Sequence, residues 1–189
     1  MDKRKLYKTT RTVLEMMEDR GYTIPDDYVA ITYNDYLTTG LINMTFTEPK
    51  TAYIYFHNES KNLSKSELQE AYNWTEEEMP NLIIISHDLP SSALRKELLN
   101  PKYQNLEFFE FKHLTYNVAR HELQPNFRLL TEEEKREILD RYSLKVTQLP
   151  AMLVDMPIAR YYSAKKGDVF EIIRRSESAG ESIIYRYIK

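Results

Sequence analysis

The 189-residue sequence contains no cysteine, which excludes disulfide staples and thiolate chemistry; a zinc ion would have to be held by carboxylates and the 4 histidines. Those histidines, His57, His87, His113 and His121, are scattered without a ligand spacing such as His-x-x-x-His, so neither a zinc site nor a histidine-based triad is expected. Glycine is almost as scarce, with 4 residues, and a glycine-rich phosphate loop is excluded with it. No long apolar run is present: Met1-Asp2-Lys3-Arg4-Lys5 leads into Leu6-Tyr7-Lys8-Thr9, which lacks the apolar core of a signal peptide or membrane span. A soluble, intracellular chain with no membrane partner is the expectation. Charge of one sign is also missing, because a net charge of -3 argues against wrapping nucleic acid by bulk electrostatics. Any DNA contact must be local.

What the sequence does have is tyrosine, 15 residues against 7 phenylalanines and 1 tryptophan. A tyrosine keeps a polar tip on an apolar ring and suits half-buried surfaces and partner contacts. With 42% hydrophobic residues, the chain can bury one good core or two small ones but is too short for a multidomain enzyme. Net charge is -5 through Lys112 and +2 beyond it, a difference that two modules would produce.

Local patterns divide the chain. Leu6, Val13, Leu14 and Met17 fall at helical spacing and Gly21 supplies a C-terminal cap, which predicts a helix over 3–20. A second, tyrosine-rich helix is expected over 26–37, closed by Gly40. Alternation over 41–47 and a β-rich stretch over 52–57 read as a hairpin around Glu48-Pro49-Lys50. Ser64-Lys65-Ser66-Glu67 is a capping box that opens a helix to about Met79. The run Asn81 to Ser86 is too short for a helix and reads as a strand buried on both faces, central in its sheet. A short helix over 91–99 and a strand over 106–111 complete an α/β sandwich.

After Lys112 the character changes. His121-Glu122-Leu123-Gln124-Pro125 is expected to be extended, since the residue before a proline is pushed toward β geometry. Thr131-Glu132-Glu133-Glu134 is a second capping box for a helix to Tyr142, with Ile138, Leu139 and Tyr142 as its apolar face. A short helix near 157–162, a turn at Lys166-Gly167-Asp168 and strands over 169–174 and 183–187 make a compact α+β unit.

Six of these C-terminal segments stand in register with a known family. His121-Glu122-Leu123-Gln124-Pro125, Gln148-Leu149-Pro150, Pro157-Ile158-Ala159-Arg160-Tyr161-Tyr162, Lys165-Lys166-Gly167-Asp168-Val169, the stretch Ile172 to Gly180 with Arg174-Arg175-Ser176-Glu177, and Tyr185-Arg186 resemble the fifth common subunit of RNA polymerases in order and spacing. This part is also similar to the corresponding small subunit of archaeal RNA polymerases. Arg11 to Tyr22, and Leu82 to Ile85 followed by Leu89-Pro90-Ser91-Ser92-Ala93, are similar to the eukaryote-type N-terminal jaw of the same family. The resemblance implies a non-catalytic subunit of DNA-directed RNA polymerases I, II and III, with no cofactor. It implies a nuclease-like three-layer jaw over 1–112, a connector over 113–120 and an assembly module over 121–189. The assembly module would dock on the largest polymerase subunit, with the sixth common subunit nearby, and the jaw would lie beside downstream double-stranded DNA in the nucleus.

On that resemblance the interface residues are His121, Glu122, Leu123, Pro125, Pro150, Arg160, Tyr161, Lys165, Lys166, Arg174, Arg175, Ser176, Glu177, Tyr185 and Arg186. Arginine forks suit bidentate pairing to carboxylates or phosphates, although the same cations would also make an ordinary solvated face. Pro90, Ser91 and Ser92 are the DNA-proximal loop. Hydroxyls and free amides at a helix start can take a phosphate oxygen without reading bases, and a serine there equally caps its own helix. The chain departs from the family where Ser163 replaces a usual glycine, Ala151 a basic residue, Met156 an aspartate, and Glu181-Ser182 an arginine-tyrosine pair. These departures suggest a diverged lineage, such as a reduced parasite or a large DNA virus; for a viral chain the alternative to the nucleus would be a virion or cytoplasmic virus factory. One rival comes from Glu110-Phe111-Lys112 at a strand end, which resembles half of a Mg²⁺-dependent restriction-type nuclease site. Its partner aspartate is missing from the preceding strand, because Asp88 is followed by a helix.

Overall fold

The computed structural model describes residues 3–40, 42–57, 63–75, 77–176 and 180–189. They fall into two units, residues 1–116 and 117–189, so the seam lies inside the stretch read as a connector. Val118 and Ala119 pack against the core of the second unit. Among the described residues, no helix is long and apolar enough to cross a membrane.

The first unit opens with α1 (Lys3–Asp19), which buries Leu6, Val13, Leu14, Met16 and Met17 together with Thr9, Thr10 and Thr12. Two of those hydroxyls are satisfied one turn back, Thr9 Oγ1 on the Lys5 carbonyl at 3.0 Å and Thr10 Oγ1 on the Leu6 carbonyl at 3.1 Å. Gly21 then takes φ +85°, with its N–H on the Glu18 carbonyl at 2.8 Å and the Tyr22 N–H on the Met17 carbonyl at 2.9 Å, which ends the helix in a Schellman turn. The expected tyrosine-rich helix is two, α2 (Asp26–Val29) and α3 (Tyr33–Thr39). The break falls at Thr32, whose hydroxyl accepts the Asp35 N–H while the Asp35 carboxylate takes the Thr32 N–H, so a second N-cap interrupts the run.

Strands β1 (Met44–Phe46), β2 (Ala52–Phe56), β3 (Leu82–Ser86) and β4 (Leu106–Glu110) form one sheet in that order. The β1–β2 hairpin is antiparallel; β2, β3 and β4 are parallel and are joined through α4 (Lys65–Trp74) and α5 (Ser92–Glu97). The capping box at Ser64 starts α4, but the helix stops at Trp74 instead of Met79, with the Thr75 hydroxyl donating to the Tyr72 carbonyl at 2.7 Å. All five residues of β3 are buried. Leu82 and Ile84 pack with Leu68, Ala71, Tyr72 and Leu94 of the crossover helices, and the alternation of a strand turns Ile83 and Ile85, also buried, to the other face. The run too short for a helix is therefore the interior strand that its composition predicts.

In the second unit, β5 (Asn126–Leu129), β6 (Ala151–Met152), β7 (Val169–Ser176) and β8 (Gly180–Ile188) make a sheet in the order β5-β7-β8-β6. Neither β5 nor β6 is evident from the residues, because four and two residues carry too little alternation. The β7–β8 ribbon is antiparallel and longer than either flanking strand. One face of the sheet carries Phe170, Ile172 and Ile184, which pack with Ile158 and Ala159 of α7 (Pro157–Tyr161). The opposite face carries Val169, Tyr185 and Tyr187, packed with Leu130 and with Ile138 of α6 (Glu132–Tyr142). Tyr142, expected on the apolar face of α6, is 56% exposed.

Candidate functional site

His121 to Pro125 is a turn, not an extended segment. The Gln124 N–H reaches the His121 carbonyl at 2.9 Å, and the Leu123 N–H reaches His121 Nδ1 at 3.2 Å. The imidazole thus plays the part of an Asx side chain and turns the chain at Glu122 and Leu123, upstream of the Gln124-Pro125 step on which the proline acts. The turn presents Glu122 and Leu123, the latter 87% exposed, immediately before β5.

The other expected interface residues separate by role. Tyr161 is buried, and its hydroxyl accepts from Asn117 Nδ2 at 3.0 Å while its ring meets Tyr162 edge-on at 5.2 Å, so it is a core residue with a satisfied polar tip. Arg160 on α7 is half-buried. Pro150 precedes β6 and lends its carbonyl to the Tyr187 N–H at 3.1 Å. Lys165 and Lys166 are exposed in the turn before β7, which the Asp168 carboxylate closes by taking the Lys165 N–H at 2.6 Å and in which Gly167 sits at φ +94°. Ser163, at the usual family glycine, also has positive φ, 53°.

The cations expected to gather do not share one surface. Arg174 pairs across the ribbon with Ser182, and Arg186 with Phe170, which places both on the α7 side of the sheet. Arg175 pairs with Glu181 on the α6 side, the side of Tyr185. Arg174 and Arg175 are exposed and Arg186 is half-buried. The Tyr185 hydroxyl donates to Glu171 Oε1 at 3.4 Å, and burial, reinforced by the Glu171 carboxylate, raises its pKa. Of Ser176, only the backbone pairing with Gly180 is described, and Glu177 lies outside the described residues.

One residue of this unit escaped the sequence reading. Arg128 on β5 pairs with both Glu171 of β7 and Glu134 of α6, tying three elements through one guanidinium. Its hydrogen bond to Glu134, with the Thr131 N–H on the same carboxylate, holds the Glu134 pKa below the usual carboxylate range. The capping-box pattern assigned Glu134 a local job and so concealed this second one.

In the first unit, Pro90 is buried while Ser91 and Ser92 are exposed. Ser91 caps α5, its hydroxyl accepting the Leu94 N–H at 3.3 Å, and the Pro90 carbonyl accepts from Arg95 Nε at 3.0 Å. Ser92, the first residue of α5, is exposed beside this cap. At the rival site, Glu110 is buried and its carboxylate is taken up by Lys112 Nζ at 2.6 Å and His113 Nδ1 at 3.4 Å. Asp88 is exposed, and among the described residues no three potential ligand side chains group around a metal position.

Family models match both parts of the chain: RNA polymerase Rpb5, N-terminal domain, over residues 1–69, and RNA polymerase Rpb5, C-terminal domain, over residues 116–188. The DNA-directed RNA polymerases I, II, and III subunit RPABC1 of Caenorhabditis elegans is 30% identical over 97% of this chain and 95% of its own length. The chain belongs to the RNA polymerase Rpb5 family. The subunit rpabc1 of Dictyostelium discoideum is 29% identical over 98% of each chain, and the Caenorhabditis briggsae subunit is 30% identical over 97% and 95%. Rpb5 membership makes the chain a non-catalytic RNA polymerase subunit of eukaryotic type, and the nuclease reading finds no support in the relatives or around Glu110. The C-terminal Rpb5 match begins beside the seam at Tyr116 and Asn117.

Proposed function

We propose that the second unit anchors this Rpb5 subunit to the largest polymerase subunit, with the sixth common subunit nearby, and that the first unit is a nuclease-like jaw lying beside downstream double-stranded DNA. The reading belongs to a nuclear polymerase and needs no active site or cofactor in this chain; phosphodiester synthesis falls to other subunits. The observation that carries it is end-to-end similarity to the shared subunits, with both Rpb5 parts in order on one chain. The exposed Arg174 and Arg175, together with Lys165 and Lys166, supply cations suited to carboxylates across an interface, where a fully desolvated charge left without its partner costs a few kcal/mol. In the jaw, the exposed Ser92 hydroxyl beside the Ser91 cap suits a phosphate contact that ignores sequence.

Affinity purification of the tagged full chain with mass spectrometry tests the assembly reading: the largest subunit should co-purify, and Arg174→Glu with Arg175→Glu should reduce its yield. Wild-type yield from the double variant refutes the role of these arginines. Ser91→Asp with Ser92→Asp keeps a good N-cap while adding negative charge, so it should weaken retention of downstream DNA by the assembled enzyme without unfolding α5. Unchanged retention across a salt series removes the jaw contact.

A further inference from the structure

Along most of β8 the ribbon leaves its outer edge open, and the pattern of its backbone bonds identifies which groups are available. The Tyr187 and Lys189 N–H groups point away from β7, onto the Pro150 and Met152 carbonyls at 3.1 and 2.9 Å, whereas the Ile188 N–H points to the Asp168 carbonyl on the β7 side at 2.8 Å. Backbone groups alternate along a strand with a period of two, so the N–H and C=O groups of Glu181, Ile183 and Tyr185 also point outward. The flanking strand covers only Tyr187 and Ile188. It cannot be prolonged backward, because Pro150 has no N–H to add to the ladder. Among the described residues no strand other than β7 pairs with β8 from Glu181 to Tyr185.

Exposed edges are normally blunted by proline, lysine or a bulge. Residues 181–185 contain no proline or lysine, the register with β7 runs without offset from Val169 opposite Tyr187 to Ser176 opposite Gly180, and Ile183 is 54% exposed. The edge is straight, apolar at its centre and open. Among the described residues its charged neighbours are Arg174, Arg175 and Arg186 against Glu181 and Glu171, the latter already paired with Arg128.

We propose that the outer edge of β8 from Glu181 to Tyr185 docks an extended, carboxylate-bearing segment of another polymerase subunit, which adds to the sheet as a strand. Main-chain bonds to the three outward residues supply affinity, and the arginines select an acidic strand over a basic one. The inference rests on the subunit reading above and specifies how that subunit is held.

Residue-level hydrogen exchange on the full chain, alone and within assembled polymerase, tests it. In the free chain the Ser182 and Ile184 amides, which face β7, should exchange slowly and those of Glu181, Ile183 and Tyr185 fast; on assembly these three should slow by about tenfold or more. Unchanged exchange at the three amides in the assembled enzyme overturns the edge while leaving the subunit reading intact. Protection that grows with concentration in the isolated chain overturns it in favour of a second copy. Failure of the chain to enter the polymerase at all sinks both readings. As a separate check, Ile183→Pro removes one outward N–H without touching the β7 ladder, so it should lower incorporation about tenfold relative to Ile183→Thr, which retains the N–H. Equal incorporation of the two, with the Ile183→Pro chain retaining the wild-type thermal transition, also overturns the proposal.

Discussion

The two four-stranded sheets handle their strands in opposite ways. In the first unit β3 has a parallel neighbour on each side and is buried along its whole length, so its ladder and both its faces are consumed internally. In the second, β7 and β8 outrun their neighbours and leave Arg174, Arg175 and Ile183 in solvent. The difference teaches where each unit keeps its information: the first in apolar volume, the second in turns, charges and an unfinished edge.

Core truncations should break the comparison most severely. Phe170→Ala should cost the second unit about 3–5 kcal/mol, and Ile84→Ala the first about 2–5 kcal/mol, since both side chains are fully buried. Denaturant unfolding followed by probes in each unit checks this; equal loss in both units from either variant would mean that they do not unfold as separate bodies. The ion pairs come next. Arg20, 8% exposed, holds Glu107 of β4 through two bonds at 2.8 and 3.1 Å, whereas Arg128 is 51% exposed. Arg20→Ala should therefore destabilise by about 2 kcal/mol, less than a fully buried pair because Glu107 keeps some water, and Arg128→Ala by under about 1 kcal/mol. Reversal of that order in melting experiments would show that bridging three elements outweighs burial.

A smaller effect of opposite sign is expected at Ser163. A non-glycine residue in the left-handed region is strained, so Ser163→Gly should raise stability by about 0.5–1 kcal/mol, measured as a higher denaturant midpoint. The smallest effect concerns pH. The folded pKa of Glu134 lies below its ordinary 4.5, so the stability it contributes is present above that value and is lost as pH falls through the folded one. Glu134→Gln should flatten this part of the acid limb of a stability titration; an unchanged limb would assign the acid sensitivity to other carboxylates.

Much of this architecture was legible in the residues. Ser64, Ser91 and Thr131 announce their helices because a cap is a local device, and the Leu82 to Ile85 run announces an interior strand because burial on both faces suppresses alternation. What stayed hidden depends on contacts distant in sequence or on very short pieces. The two-residue β6 exists only by pairing with β8, and the Arg20 partner is 87 residues away. The break at Thr32 and the turn at His121 were local but were masked by competing signals, a tyrosine-rich run closed by Gly40 in one case and Pro125 in the other. For the candidate site, the cations were identifiable, but their division between two sheet faces follows from ribbon register, which no motif encodes.

Pairing distance along the chain also sets an order of events. Ile172 meets Ile184 only 12 positions away, while Ile54 must find Ile83 across 29 positions and a helix. Loop-closure entropy penalises the longer search, so the C-terminal ribbon should zip quickly and the parallel strands slowly. A refolding chain would thus hold the antiparallel ribbon of its second unit before the parallel ladder of its first exists.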